Sequence, residues 1–289
     1  MAAAVSKTNP KSQRKATQGS ADNGRATVFI NARVIDPASG RDEPGGLAMQ
    51  DGAITDIGPH LRRNAPDAAE VIDCRGCVLA PGLIDAQVFV GEPGAEHRET
   101  LKTASNAAAA GGVTTIVVMP DTNPVIDQVA LVDFIQRRAR DNAVVHIATM
   151  AAMTKGLAGE EITEIGLLKR AGAVAFSNGK TSVANTRVMR NVLNYAKDFR
   201  ALIVHHTEDP YLSKNAAMNS GEVATRLGLP GVSKHAETIL LERDLRLVEM
   251  TNARYHAATI TCAESLEVLR KAKDRGLAVT CGVSINHLT

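Results

Sequence analysis

The sequence predicts a (β/α)8 TIM-type barrel, truncated after its seventh strand and preceded by a small N-terminal β domain. Three observations lead to this fold class. From Pro81 onward, seven short apolar runs recur in series, separated by helical patterns long enough to return the chain for a parallel strand. Before Pro81 the runs are short and β-like, with turn residues between them. Apolar residues make up 44% of the 289, yet aromatic residues only 3%, and tryptophan is absent. A core of Ala, Val, Ile and Leu is what parallel strands buried on both faces require.

The elements follow in order. Residues 1–25 hold five Lys/Arg, one Asp and much Ser, Ala, Asn and Gln, the composition of a disordered tail. Residues 26–80 are read as a small, incomplete β-sandwich. In it Thr27–Ile30 and Ala32–Ile35 suggest one hairpin. Gly45–Met49 and Ala53–Ile57, joined by Asp51-Gly52, predict a second, because Asp-Gly supplies the backbone that a two-residue turn needs. Val71-Ile72 and Val78-Leu79 add strand material.

Residues 81–289 are read as the incomplete barrel. Its strands are expected at Leu83–Val90, Val113–Met119, Val144–Met150, Ala173–Phe176, Ala201–His205, Arg254–Ile260 and Leu277–Val283. Helices are expected at His97–Ala110, Asp127–Asp141, Glu161–Arg170, Arg187–Phe199, Ala236–Met250 and Ala263–Arg275. Gly111-Gly112 suits a helix C-terminus, and Arg137, Arg138 and Arg140 suit the negative end of a helix dipole. Closing a barrel takes an eighth strand and helix, so the chain ending at Thr289 is expected to be a fragment or truncated product with an apolar edge. An open doubly wound sheet ranks second, because no glycine-rich phosphate loop follows the first strand.

Composition excludes several classes. A net charge of +2 gives no reason to expect nucleic-acid binding. No apolar run approaches the roughly 18 residues of a membrane span, and no apolar segment near the start marks a secretory signal. A cytoplasmic protein is expected. Cys74 and Cys77 form a CxxC, but no second pair follows at zinc-ribbon spacing, and they are read as two small strand residues.

The segment Pro81-Gly82-Leu83-Ile84-Asp85 continues through Glu92-Pro93-Gly94 to His97-Arg98-Glu99-Thr100. Then come Gly111-Gly112-Val113-Thr114-Thr115, Met119-Pro120-Asp121-Thr122-Asn123-Pro124, Phe176-Ser177, His206-Thr207-Glu208-Asp209, Gly228-Leu229-Pro230-Gly231 and Tyr255-His256. This series resembles the dihydroorotase family of the amidohydrolase superfamily over residues 27–289. The resemblance implies a barrel with two zinc-type metals at its C-terminal mouth, which activate a water for opening a cyclic amide.

Carried over position by position, the resemblance implies a depleted site. The first-strand imidazoles fall at Gln87 and Phe89, and the bridging anion falls near Asn178 and Gly179. The fifth-strand histidine is present as His206, whereas the sixth-strand one is Thr259. The eighth-strand aspartate has no counterpart before Thr289. The substrate-gripping arginine falls at Gly91 and its helper asparagine at Asp121, which removes a cation and adds an anion. The former pocket would be lined by Gln87, Phe89, Gly91, Asp121, Asn123, Asn178, Thr259 and His287.

Eight histidines leave room for other arrangements. His205 and His206 face opposite ways on a strand, and the resemblance makes His206 the better candidate for the mouth. His206, Glu208, Asp209, His235 and His287 are the set from which a rewired metal site would be drawn. His256 is read as a packed strand residue, Glu92 as a loop acid, Glu99 as a first-turn acid, and Lys180 and the Arg137–Arg140 run as solvated charges.

Three functions are carried forward. The first is a non-catalytic pseudo-dihydroorotase, which the resemblance pairs structurally with aspartate carbamoyltransferase. The second is a zinc-dependent cyclic amidohydrolase of dihydroorotase or hydantoinase type with a rebuilt site. The third is a small-molecule binding barrel. The first and third need no cofactor, and self-association into a homo-oligomer is expected from the open edge.

Overall fold

The computed structural model describes residues 26–62 and 69–288. The expected tail at residues 1–25 lies outside them. The chain divides into two compact units, one reaching to Leu83 with Gly112–Thr114, the other comprising Ile84–Gly111 and Thr115–Thr289.

The first unit is built on β1 (Thr27–Asp36), β2 (Arg41–Gln50), β3 (Ala53–Gly58), β4 (Glu70–Asp73) and β5 (Val78–Leu79). These strands form one five-stranded sheet, in the order β3-β2-β1-β4 with β5 also paired to β1. The expected hairpin between Ile30 and Ala32 is absent: β1 is one strand, with its register against β2 shifted between Phe29 and Ala32. A single residue, Asn31, separates the two apolar runs, too few to reverse the chain. It takes a left-handed φ of 54° and makes a bulge instead. The Asp51-Gly52 hairpin forms as expected, with positive φ at both residues. Val28, Ala48 and Leu61 make this unit's small core.

The second unit holds the parallel sheet. Its strands are β6 (Leu83–Val88), β7 (Val113–Val118), β8 (His146–Ala152), β9 (Ala175–Ser177), β10 (Leu202–His205), β13 (Arg254–Ala257) and β14 (Val279–Cys281). They lie in chain order, β6 at one edge and β14 at the other. The Gln87 amide donates to the Ala258 carbonyl at 2.8 Å, which joins the edge strand β6 to the end of β13, five strands away in the sheet order. The sheet is therefore curled, as in a barrel.

Helices α1 (Leu101–Ala110), α2 (Val129–Asn142), α3 (Ile165–Ala171), α4 (Thr186–Asp198), α6 (His235–Thr251) and α7 (Ala263–Asp274) link the strands. The spacing of Val188, Met189, Val192, Leu193 and Ala196 gives α4 one buried stripe. Two helices, α1 and α3, start a full turn later than expected. Thr100 caps α1 reciprocally with Thr103, so Glu99 precedes the helix and is no first-turn acid. Before α3, Glu161 pairs with Lys155 and Ile162 bridges to Thr154, which holds that stretch as a loop. Between β10 and α6 lie elements that the sequence reading passed over: β11 (Met218–Asn219), α5 (Glu222–Leu227) and β12 (Gly231–Val232). Among the described residues no helix is long and apolar enough to cross a membrane.

Candidate functional site

The C-terminal ends of parallel strands are where an α/β fold presents its chemistry. Here the first such end is β6. Gln87 is held by its bond to Ala258, which fixes the side-chain amide as a donor. Phe89 lies beneath two cations, with the Arg98 guanidinium 5.3 Å and the Lys180 ammonium 5.7 Å from the ring centroid. Both lie within the roughly 6 Å over which a ring face attracts a cation. Lys180, read from sequence as a solvated charge, thus faces the site.

Gly91 has no room for a side chain: a Cβ there would stand 2.3 Å from the Ala95 carbonyl oxygen. The loop has folded onto the place that an arginine would need. The next residue, Glu92, is no solvated loop acid, being only 3% exposed. Its carboxylate accepts from the Leu101 amide at 2.9 Å, at the start of α1, and from Arg138 Nε at 2.6 Å. Arg138 accordingly belongs to a structural ion pair rather than to a free basic face.

The second loop carries Asp121 and Asn123. Asp121 Oδ1 is buried without a hydrogen-bond partner, and Gly179 packs directly against this carboxyl, with no space for a Cβ between them. The Asn123 amide donates to Pro93 O at 3.1 Å, and Gly94 packs on the Asn123 carbonyl, so the two loops are stitched through their backbones. At the end of β9, Asn178 is 1% exposed. Its Nδ2 donates to Thr154 Oγ1 at 2.7 Å while its Oδ1 accepts from the Thr154 amide at 3.2 Å. Both ends of the side chain are thereby occupied in holding the β8 loop.

His206 follows β10, partly exposed, with Glu208 3.4 Å away. Burial lowers its pKa from the ordinary 6.5 more than Glu208 restores it, so the ring is neutral near pH 7. Thr259 is half-buried beyond β13, and His287 is exposed in a short 3-10 turn after β14. His235 begins α6, exposed, and Asp209 Oδ1 accepts from the Tyr211 and Leu212 amides. Of the five residues proposed for a rewired metal site, contact is made only by His206 with Glu208. Among the described residues no three His, Cys, Asp or Glu side chains converge as a metal set.

The zinc pair implied by the resemblance does not fit these residues. A dication needs anionic or lone-pair donors. Beside the single imidazole of His206, the positions offer an apolar ring under two cations, an amide bound through its NH2, an amide consumed at both ends and a threonine hydroxyl.

His205 holds a second cluster that the sequence reading did not find. Its Nε2 accepts from the Val183 amide at 2.8 Å, which leaves Nδ1–H to donate to Asp244 at 2.6 Å. Tyr255 also donates to Asp244, at 2.7 Å, and Arg243 reaches both Asp244 and the Ala184 carbonyl. Burial pushes the Asp244 carboxyl upward, but His205, Arg243 and Tyr255 outweigh it and hold it below the ordinary 3.8. The cluster clamps the loop after β9. A signal existed: Asp244 sits on the apolar stripe of Leu240, Leu241, Leu247 and Val248, where a charge is buried only with partners. Glu237, on the same helix, is held by Thr261, Cys262 and Ser265.

Residues 76–265 match the family described as dihydro-orotase-like. The chain belongs to this family. A dihydroorotase of Solibacter usitatus is 41% identical over 260 residues, covering 90% of this chain and 60% of the relative. One from the Wolbachia of Brugia malayi is 39% identical over 275 residues, covering 94% and 62%. The solved L-hydantoinase of Arthrobacter aurescens superposes with a TM-score of 0.75 at 20% identity, covering 90% of this chain and 58% of that one. A D-hydantoinase gives 0.73 at 22%, covering 91% and 58%. At such identities these structures establish the fold alone, a barrel-type curled parallel sheet with an N-terminal β domain. The dihydro-orotase-like chain thus spans about 60% of the length of the relatives it matches.

Proposed function

We propose that this member of the dihydro-orotase-like family serves pyrimidine biosynthesis without catalysing ring hydrolysis, as a structural partner of aspartate carbamoyltransferase. The observation that carries the reading is Phe89 beneath Arg98 and Lys180. Where the resemblance calls for a metal-binding imidazole, the chain offers a ring and two positive charges, which oppose a dication rather than hold it. The blocked space at Gly91 and the unpaired Asp121 oxygen argue the same way for an anionic substrate. The names of the relatives support the pathway.

The test is size-exclusion chromatography of the mixed proteins at micromolar concentration, with zinc measured after dialysis. A shifted common peak, little zinc and no dihydroorotate turnover are expected, and His206→Ala should bind equally well. Near-stoichiometric zinc with chelator-sensitive turnover would instead make the chain an active cyclic amidohydrolase. Two unshifted peaks would remove the partner and favour a ligand-binding barrel.

A further inference from the structure

Outside the barrel mouth, the first unit contains a turn whose chemistry the family reading leaves unused. Cys74-Arg75-Gly76-Cys77 separates β4 from β5, and both strands run parallel to β1. The Cys77 amide donates to the Cys74 carbonyl at 2.8 Å, and Arg75 and Gly76 have φ values of 49° and 82°. Left-handed φ at both central residues is the signature of a type I′ turn.

The turn is also anchored from outside. Cys74 donates to Ile30 O, Gly76 to Asn31 O, and Arg33 to Cys77 O, at 2.9, 2.6 and 3.0 Å. Asp73 Oδ1 accepts from the Arg75 amide at 2.9 Å and from Asn31 Nδ2 at 3.0 Å. The two cysteines therefore cannot drift apart without breaking strand pairing. A turn of this kind brings its first and last Cα within about 7 Å, and a disulfide bridges Cα separations of roughly 4.4–6.8 Å.

Both thiols are free, Cys77 exposed and Cys74 half-buried. Burial raises the Cys74 pKa above the ordinary value, and the neighbouring Cys77 and Asp73 raise it further. The other two cysteines lack this arrangement: Cys262 bonds to Glu237 and Ser265, and Cys281 lies on β14.

We infer that Cys74 and Cys77 form a redox-active dithiol, which low-molecular-weight disulfides close to an intrachain disulfide. In the first step the exposed Cys77 thiolate attacks a sulfur of the small disulfide. A Cys77–S bond forms, the small S–S bond breaks, and one small thiolate leaves. In the second step the Cys74 thiolate attacks Cys77 Sγ, forming the intrachain bond and releasing the second small thiolate. The protein loses two electrons and two protons, and the small disulfide becomes two thiols.

The experiment exposes the native chain to oxidised glutathione and counts free thiols, followed by peptide mass analysis. The count is expected to fall from four to two, with the 74–77 peptide lighter by about 2 Da and restored by dithiothreitol. Cys74→Ser should instead accumulate a glutathione adduct on Cys77. A trivalent arsenical that bridges dithiols should protect both residues from alkylation in the native chain. Stable glutathione adducts on wild-type Cys74 or Cys77 without closure would overturn the inference. So would unchanged thiols at both positions, or absent protection by the arsenical.

Discussion

Gly91 shows how a single residue fixes what a loop can hold. Its missing side chain is no passive loss, because the Ala95 carbonyl stands 2.3 Å from where a Cβ would be, and the Ala95 amide donates to Gly91 O at 2.6 Å. Replacing Gly91 with the arginine that the resemblance calls for must push this loop outward. Gly91→Arg is expected to lower stability by about 1–3 kcal/mol, the range for overpacking, without conferring affinity for dihydroorotate. Urea denaturation and calorimetric titration check the two halves, and an arginine variant as stable as the parent would mean that the loop yields freely. Asn178 makes the same point with different chemistry. A carboxylate placed there would lose the donor that holds Thr154 Oγ1, inside a site that is 1% exposed. The substitutions at Gln87, Phe89, Asn178 and Thr259 were legible in the sequence because the motifs around them set the register. The contacts made in their place were not, since Lys180 reaches the Phe89 ring from a segment far along the chain and only folding brings it there.

At the scale of elements, β10 and β13 are neighbours that carry histidines toward their ends. Burial lowers the pKa of His206 and of His256 from the ordinary 6.5, and His256 Nδ1 pairs with Thr280 Oγ1 at 2.7 Å. The unfolded chain therefore takes up these protons first. The stabilising contribution is complete above about pH 6.5 and is lost as pH falls through the lower folded values. Asp244 acts in the same direction further down, its contribution disappearing as pH falls through a value below 3.8. The urea midpoint is expected to decline as pH falls from ~7 to ~5, and His256→Gln should make that decline shallower. An unchanged slope in the variant would remove His256 from the account. The seven strands were legible because short, largely apolar runs recur between turn signals, and consecutive parallel strands lie side by side. Helix starts were less so: Thr100, with Thr103, caps α1 against the longer pattern beginning at His97. The buried cluster on α6 stayed hidden because His205 and Asp244 lie 39 residues apart, and only packing brings them together.

Over the whole molecule, the parallel sheet has two outer strands, β6 and β14, with no further strand beside either among the described residues. Around β14 the apolar side chains of Val283, Ile285 and Leu288 are 49%, 70% and 67% exposed. Such an edge is a template for pairing with another chain. A polypeptide of residues 1–289 is expected to associate with itself as concentration rises, and Ile285→Lys with Leu288→Lys should weaken this. Light scattering on the eluting protein over a tenfold dilution series checks it, and one monomeric species throughout would contradict it. The Gln87–Ala258 bond has a different bearing, on time. Its partners are 171 residues apart, so an emerging polypeptide cannot make it until the chain has been synthesised past Ala258. A contact of such long range carries a large loop-closure cost, and it is expected to form after the folding barrier. The amide that curls the sheet should therefore act as a latch on the finished form: without it, as in Gln87→Leu, the protein should fold as fast as before and come apart sooner.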